Sequence, residues 1–433
     1  METKETLTQN PTVLLDSTPV ADRPPVPQTL PKFKDVKRFL KFGKKAALMA
    51  LHIWGIYRSK TPPGPIFAQI GIIDPCNHKC VMCADHPPEE NISPTTEAAF
   101  ALPPGNMSME EFKTIVDDLK SMDTQCIELV GQGEPTLHHK VTEMLQYAKS
   151  KDMVVRMVSN GSRIFKDLAE AMVDTGMEHL QISMNAGKPE TYPKIHVTES
   201  PENYLKVKEN LKYLHDYKKK RRSKFPYVRL SFVISKDNCF ELKEMIQATH
   251  DVGAEEATFV YASVHEGTQN IKLTEEEFRK VKASIPEAMD LAKKLGVEGG
   301  LKIFAASQPP YMEEEIMGPP VVPCYIGWYF TRIIGNGSIL PCCQCPNPLG
   351  EMKDVGRWKN LWGSDIYNRF RQAAKALPEK NDILNNCECN QCTARPRNIL
   401  IHNLLYPFNR IKGIQGDLLW RFKDIFKSRR TRV

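Results

Sequence analysis

The sequence lacks an uninterrupted apolar stretch long enough to cross a bilayer. Its longest candidate, Ala46–Tyr57, runs twelve residues, against the roughly 20 that a spanning helix needs. It also lacks the basic start followed by an apolar run that marks a signal peptide. The expected location is therefore the cytoplasm, where thiols stay reduced. Twelve cysteines in such a compartment read as metal or cluster ligands before they read as disulfides. The body carries a mildly acidic net charge. Residues 32–60 carry net +8 and residues 401–433 net +6, while residues 1–31 carry −2, which leaves −5 for residues 61–400. That distribution argues against a nucleic-acid groove through the body, and no nucleic-acid partner is expected.

What is present fits one large domain with appendages. The 433 residues are 41% apolar, ample for a core. Both basic ends show apolar residues near helical period: Val36, Phe39, Leu40, Ala47, Leu51, Trp54 and Tyr57 at one end, and Ile411, Ile414, Leu418, Leu419, Phe422 and Ile425 at the other. Basic amphipathic helices are expected over residues 32–62 and 401–433. Such helices can lie on an anionic membrane surface, peripheral to its inner face, or pack on the body with the basic face solvated. Residues 1–31, with "ADRPPVPQTLP", are expected to form a disordered arm.

Between residues 66 and 263, strand and helix patterns alternate. Six strand-like runs, "IFAQIGII", "CIELVG", "MVVRMVSN", "HLQISMN", "YVRLSFVIS" and "EATFVYAS", are separated by helical periods. This predicts an α/β fold of parallel βα units, a sheet or partial (β/α)6 barrel over residues 63–300. Chemistry in such folds gathers at the C-terminal ends of the strands.

The loops at those ends carry the informative residues. After the first run comes "CNHKCVMC", with Cys76, Cys80 and Cys83 in the spacing C-x3-C-x2-C. After the second comes "GQGEPTLH": Gly131 and Gly133 leave backbone groups able to approach a ligand, and Glu134 offers a carboxylate for an amine. "SNGS" follows the third, with Ser159 and Asn160, and "ISMNAGKPETY" the fourth, with Ser183 and Asn185 alternating on one face. Each loop alone can be a plain turn; together, on one face, they form a stronger signal. A structural zinc site is the competing reading of the triplet. Zinc takes four ligands, usually from paired C-x2–4-C units, and no fourth cysteine lies nearby in sequence.

These motifs, over roughly residues 66–265, resemble the radical S-adenosylmethionine (SAM) enzymes. The resemblance implies that Cys76, Cys80 and Cys83 hold a 4Fe–4S cluster, whose fourth iron is left for the amino and carboxylate groups of SAM. It further implies that the Met82 backbone meets the adenine, and that Gly131, Gly133 and Glu134 hold the methionine amine. Ser159, Asn160, Ser183 and Asn185 would lie near the ribose and carboxylate. "GQGEP" departs from the family's adjacent glycines and leaves open which carbonyl faces the amine.

Seven more cysteines follow residue 320. "WYFTRIIGNGSILPCC" reads as a β-hairpin turning at "GNG", and Cys389 and Cys392 form a C-x2-C pair. The pattern resembles the SPASM and twitch extensions of the same family, in the shorter form with one auxiliary 4Fe–4S cluster over residues 301–400. Cys324, Cys342, Cys389 and Cys392 are the expected ligands, with Cys387 the foremost substitute and a zinc knuckle the alternative occupant. A fully ligated cluster there implies an electron relay.

The resemblance implies reductive cleavage of SAM to a 5′-deoxyadenosyl radical that removes hydrogen from a substrate C–H bond. The electron would come from a flavodoxin- or ferredoxin-type reductant. Oxidation or epimerisation follows, according to the fate of the substrate radical. Cys239, after the fifth strand, is the candidate hydrogen donor for epimerisation, though a free cysteine there also fits as a small core residue. Tyr261 and His265 are candidate pocket residues. The expected substrate is a small or lipid-linked molecule such as a sugar, cyclitol or lipid. Modification of a ribosomal peptide is the second reading, ranked lower because residues 1–60 show one helix and a Pro-rich arm, too little for the winged-helix recognition module such enzymes often carry. A non-enzymatic metal scaffold contacting membrane or RNA through its basic ends is the third.

Overall fold

Alternating burial turns the six expected runs into strands. In the computed structural model β5 (Tyr227–Ile234) buries every second residue, Val228, Leu230, Phe232 and Ile234, as a sheet covered on one face requires. The strands are β1 (Phe67–Ile70), β2 (Cys126–Leu129), β3 (Val154–Ser159), β4 (His179–Ser183), β5 and β6 (Glu256–Tyr261), in that spatial order and all parallel. The structure describes residues 36–92, 104–264, 267–312, 322–379, 381–385, 387, 389, 392 and 394–407, without the side chains of 36–46.

Helices cross between the strands. These are α2 (Met109–Ser121), α3 (Val141–Ser150), α4 (Lys166–Asp174), α5 (Tyr192–Ile195), α6 (Pro201–Lys220) and α7 (Leu242–Asp251). Local signals set their ends. Ser108 accepts from Glu111 N while the Glu111 side chain accepts from Ser108 N, a reciprocal cap that starts α2. The same device, Thr274 with Glu277, starts α8 (Glu275–Leu295), and Gly296 at φ 70° ends it.

The termini are described only in part. A first helix, α1, covers Val36–Arg58 within the expected 32–62. The expected arm over 1–31, His265, and most of the expected helix over 401–433 lie outside the described residues, although α9 (Arg395–Leu405) reaches into that last segment.

The C-terminal hairpin forms as expected, from β8 (Phe330–Ile333) and β9 (Ser338–Leu340), with Gly337 at φ 84° in its turn. It does not stand apart from the barrel, however. Strand β8 pairs in parallel with β1, Ala68 facing Thr331, and extends one sheet to ten strands with β7 (Glu298–Gly299) and β10 (Gly350–Glu351) at its edges. Residues 63–300 and 301–400 therefore share a sheet. The reason lies at the edge of β1, which would otherwise leave a row of unpaired backbone groups. Asp74 fastens the junction. Its buried carboxylate accepts from Gly105 N at 2.8 Å and Gly335 N at 2.9 Å, tying the loop after β1 to the hairpin turn.

Candidate active site

The loop after β1 brings the three early cysteines together. Cys83 N donates to Cys80 O at 2.9 Å, which closes a turn. Each sulfur has a hydrogen-bonding neighbour: His78 N lies 3.4 Å from Cys76 Sγ, His86 N lies 3.1 Å from Cys83 Sγ, and His196 Nδ1 lies 3.1 Å from Cys80 Sγ. Burial pushes the Cys76 thiol up to about 11 and the Cys83 thiol up to about 12. Burial also raises Cys80 well above the ordinary range, and the nearby Cys83 and Cys76 add to it. Three thiols that penalise one another's ionisation share one locus. A cationic iron–sulfur centre there reverses that penalty, because metal ligation deprotonates the thiols. The donor set therefore fits a cluster.

The imidazoles of His78 and His196 also approach. Ligand atoms of His78, Cys80 and His196 lie within 4.8 Å of one another. His78 is buried, and its Nε2 faces Glu199 Oε1 at 3.4 Å. Burial pushes His78 down to about 4 and His196 down to about 3, so both rings are neutral at pH 7. Met82 is half-buried beside Val81, Ile195, Ala262 and Ile271.

The two glycines of the second loop have a packing cause. A Cβ on Gly131 would lie 2.7 Å from Gly71 Cα, and one on Gly133 would lie 2.1 Å from Pro75 O and 2.3 Å from Asp74 O. Their lack of a side chain lets the β2 loop lie directly against the cysteine loop. Glu134 N then donates to Pro75 O at 3.1 Å.

Glu134 is buried and already well partnered. Its Oε1 accepts from Thr136 N, Thr136 Oγ1 and Ser159 Oγ at 2.9, 2.6 and 2.8 Å, and its Oε2 from Asn160 N at 2.7 Å. Burial raises its carboxyl pKa against the lowering pull of those bonds. Oε2, with one partner, keeps acceptor capacity for an ammonium group. The network continues from Asn160 Nδ2 to Asn77 Oδ1 at 3.0 Å, and from Asn77 Nδ2 to Ser162 Oγ at 3.0 Å. Glu134, Ser159 and Asn160 are thus one unit joined to the cysteine loop.

Ser183 and Asn185 do not share a strand face as expected. Strand β4 ends at Ser183, which pairs with Ser231. Asn185 takes φ 54°, a left-handed conformation that asparagine tolerates. Its Oδ1 accepts from Val233 N at 3.0 Å and its carbonyl from Asn238 Nδ2 at 2.7 Å. The side chain therefore caps β5. Cys239 is fully buried in the core, its thiol 3.4 Å from Lys236 O. Tyr261 is buried too, its ring 4.4 Å from that of Phe304.

The structure brings Cys324, Cys342, Cys389 and Cys392 to the wall of one cavity, together with Arg395 and Asn398. Burial pushes Cys324 up to about 12, and the nearby Cys392 adds to it. Burial likewise raises Cys342 and Cys392. Beside the cavity, Cys345 and Cys387 are joined as a disulfide across 42 residues. In this arrangement Cys387 is paired with Cys345 and does not line the cavity.

Sequence reasoning missed Asp74 and His196. Asp74 offers a weak signal, a carboxylate at a strand end just before Pro75 and Cys76. His196 offers none, since it lies far from the triplet in the chain.

Residues 70–228 match the radical SAM superfamily. The chain is 26% identical over 151 residues to a probable GTP 3′,8-cyclase of Thermococcus kodakarensis, covering 35% of this chain and 45% of that protein. It is 26% identical over 179 residues to mycofactocin maturase MftC of Mycobacterium tuberculosis, covering 41% and 40%. These matches span less than half the length of either relative. A match to the AdoMet-dependent heme synthase of Methanosarcina barkeri is longer, 22% over 342 residues, covering 74% of this chain and 88% of that one. Among solved structures, Streptococcus suis SuiB bound to S-adenosylmethionine superposes with a TM-score of 0.53 at 14% identity, over 84% of this chain and 85% of that one. Native anSMEcpe with bound AdoMet gives 0.52 at 15%, over 84% and 97%. Such identities speak for the fold. With the thiol triplet at the head of its parallel sheet and a cysteine-rich C-terminal region that fits an auxiliary cluster, residues 70–228 are a radical SAM domain, of a superfamily whose cofactors are a 4Fe–4S cluster and S-adenosylmethionine.

Proposed function

We propose that this chain is an oxidising radical SAM enzyme with one auxiliary 4Fe–4S cluster and a substrate that is lipid-linked or delivered at a lipid surface. The observation that carries the oxidative part is the cavity walled by four thiols. Four thiolates satisfy every iron of a 4Fe–4S cluster, whereas three leave one position open. The triplet thus suits SAM binding and the C-terminal set suits electron transfer. When bound, the first cluster and SAM supply an electron and a carbon radical able to take hydrogen from an unactivated C–H bond. The chain's own residues hold the groups in place: Glu134 Oε2 offers an acceptor to an amine, and Asn77 and Asn160 hold that loop against the triplet. Cys239, sealed in the core, is poorly placed to return a hydrogen, which favours oxidation over epimerisation.

The test is Cys389→Ala. Anaerobically purified variant is expected to lose about four irons per chain, keep formation of 5′-deoxyadenosine under dithionite, and lose substrate oxidation. Full iron retention, or zinc in the wild-type C-terminal site, would overturn this reading.

The substrate class is supported by α1. Leu51, Trp54 and Tyr57 recur at three-residue spacing and are 49%, 57% and 56% exposed. Spacing of three to four residues places side chains on one helical face. Residues 32–45 just before them carry seven Lys or Arg. Exposed aromatics after a basic segment suit the interface of an anionic membrane. Flotation with phosphatidylglycerol vesicles is expected to recover the protein, with recovery falling at high salt, on pure phosphatidylcholine, and in Leu51→Ser/Trp54→Ser. SuiB is also known bound to the precursor peptide SuiA, at 14% identity and a TM-score of 0.51. Failure to float would leave that peptide reading as the better one.

A further inference from the structure

We propose that His196 is a positioning residue for the SAM-site cluster, donating a hydrogen bond from Nδ1 to the Cys80 sulfur and so setting the ease with which the cluster is reduced. The inference rests on the triplet holding that cluster. Backbone pairing places the ring. Val81 N donates to Ile195 O at 3.0 Å and Val197 N to Lys79 O at 2.9 Å, so that Cys80 and His196 face each other across an antiparallel bridge. The turn that does this is α5, which follows β4. The His196 ring is 1% exposed. The Tyr192 ring lies 4.5 Å away and the His78 ring 5.1 Å away, and they leave it little room to turn. Nε2 faces Met184 O at 3.4 Å, and Nδ1 lies 3.1 Å from Cys80 Sγ.

A ligating thiolate and a carbonyl both only accept, and a neutral ring carries one N–H, so Cys80 and Met184 compete for it; the charged sulfur at 3.1 Å is the stronger acceptor and takes the hydrogen on Nδ1, ahead of Met184 O at 3.4 Å. An N–H bond to a cluster sulfur withdraws electron density and stabilises the more negative, reduced state. Cys76 and Cys83 receive main-chain N–H groups, from His78 and His86, which no substitution of those side chains deletes. Cys80 differs in that its partner is a side chain. Of the three thiols, its hydrogen bond is the one that can be tuned by changing a residue.

Two substitutions separate donation from packing. His196→Leu keeps much of the volume and removes the donor. His196→Asn keeps an N–H near the Nδ1 position. Each full-length variant is purified anaerobically, analysed for iron and sulfide, and titrated with dithionite, following by electron paramagnetic resonance the signal that changes on adding SAM. His196→Leu is expected to keep its iron and become about tenfold harder to reduce, a fall of about 59 mV in the one-electron midpoint. His196→Asn is expected to recover most of that shift. An unchanged midpoint in a fully loaded His196→Leu protein overturns the inference. Equal loss of cluster from both variants overturns it too, because the ring would then serve packing alone. Wild-type protein with no cluster at the triplet, or with zinc on His78, Cys80 and His196, sinks the cluster assignment itself and is recognised before any variant is made.

Discussion

Cys80→Ala is expected to reduce 5′-deoxyadenosine formation to background while leaving the iron of the C-terminal site in place. The argument is one of coordination. Three thiolates are the smallest set that holds a 4Fe–4S cluster with one iron open, and the chain supplies three at this locus. Removing Cys80 takes away the ligand at the centre of the loop, whose thiol is held protonated in the absence of metal by burial and by the neighbouring thiols. Cys76→Ala and Cys83→Ala are expected to give the same loss. The C-terminal cavity draws its four cysteines from elsewhere in the chain, so the triplet variants should keep its iron and its absorption. Anaerobic assays with dithionite, SAM and chromatographic detection of 5′-deoxyadenosine decide the matter, with iron and sulfide measured on the same samples. Cleavage of SAM by Cys80→Ala at the wild-type rate would mean that the triplet is not where SAM reacts.

Much of this arrangement is legible in the sequence because it depends on short-range pattern. Period-two burial marked β5 residue by residue, and each of the other five expected strands lies within its expected run. The cysteine spacing is read just as locally. So is the hairpin, since Gly337 in its turn has the positive φ that "GNG" suggests. Contacts between distant segments leave no such mark. The pairing of β8 with β1 satisfies an edge created by the whole sheet, and nothing inside "FTRI" distinguishes a strand paired on one side from one paired on both. Asp74 and His196 are hidden for the same reason. Their partners, Gly335 N and Cys80 Sγ, become neighbours only after the chain has folded. Asn185 shows a different failure. Extrapolating strand alternation past Ser183 placed it on the wrong face, because the backbone turns left-handed there to cap β5. Glu134 lies between these cases: a carboxylate in a Gly-rich loop is visible in the sequence, but the four donors that hold it come partly from β3.

Gly133→Ala is expected to destabilise the protein on the order of 3 kcal/mol, as overpacking against an unyielding neighbour does, and to disrupt cluster loading in proportion. Its φ is not the cause, since Gly133 is not among the glycines with positive φ. Space is the cause. The new methyl carbon would meet Pro75 O at 2.1 Å and Asp74 O at 2.3 Å, both backbone atoms of the cysteine loop. A flexible side chain could swing aside, but here the loop carrying Cys76 must move. The bond from Glu134 N to Pro75 O breaks with it, which loosens Glu134 from the triplet. Gly363→Ala is the matched control: nothing lies within 4 Å of the point its methyl would occupy, and φ is −96°, so its stability should stay within about 0.5 kcal/mol of wild type. Thermal unfolding of the metal-free proteins without SAM separates the two roles a glycine can have in this loop. If Gly133 serves only to let a ligand approach, the metal-free Gly133→Ala protein will melt with wild type and lose SAM affinity alone. If it serves to seat one loop on the other, as the geometry has it, the midpoint falls before any ligand is added, and iron incorporation falls with it.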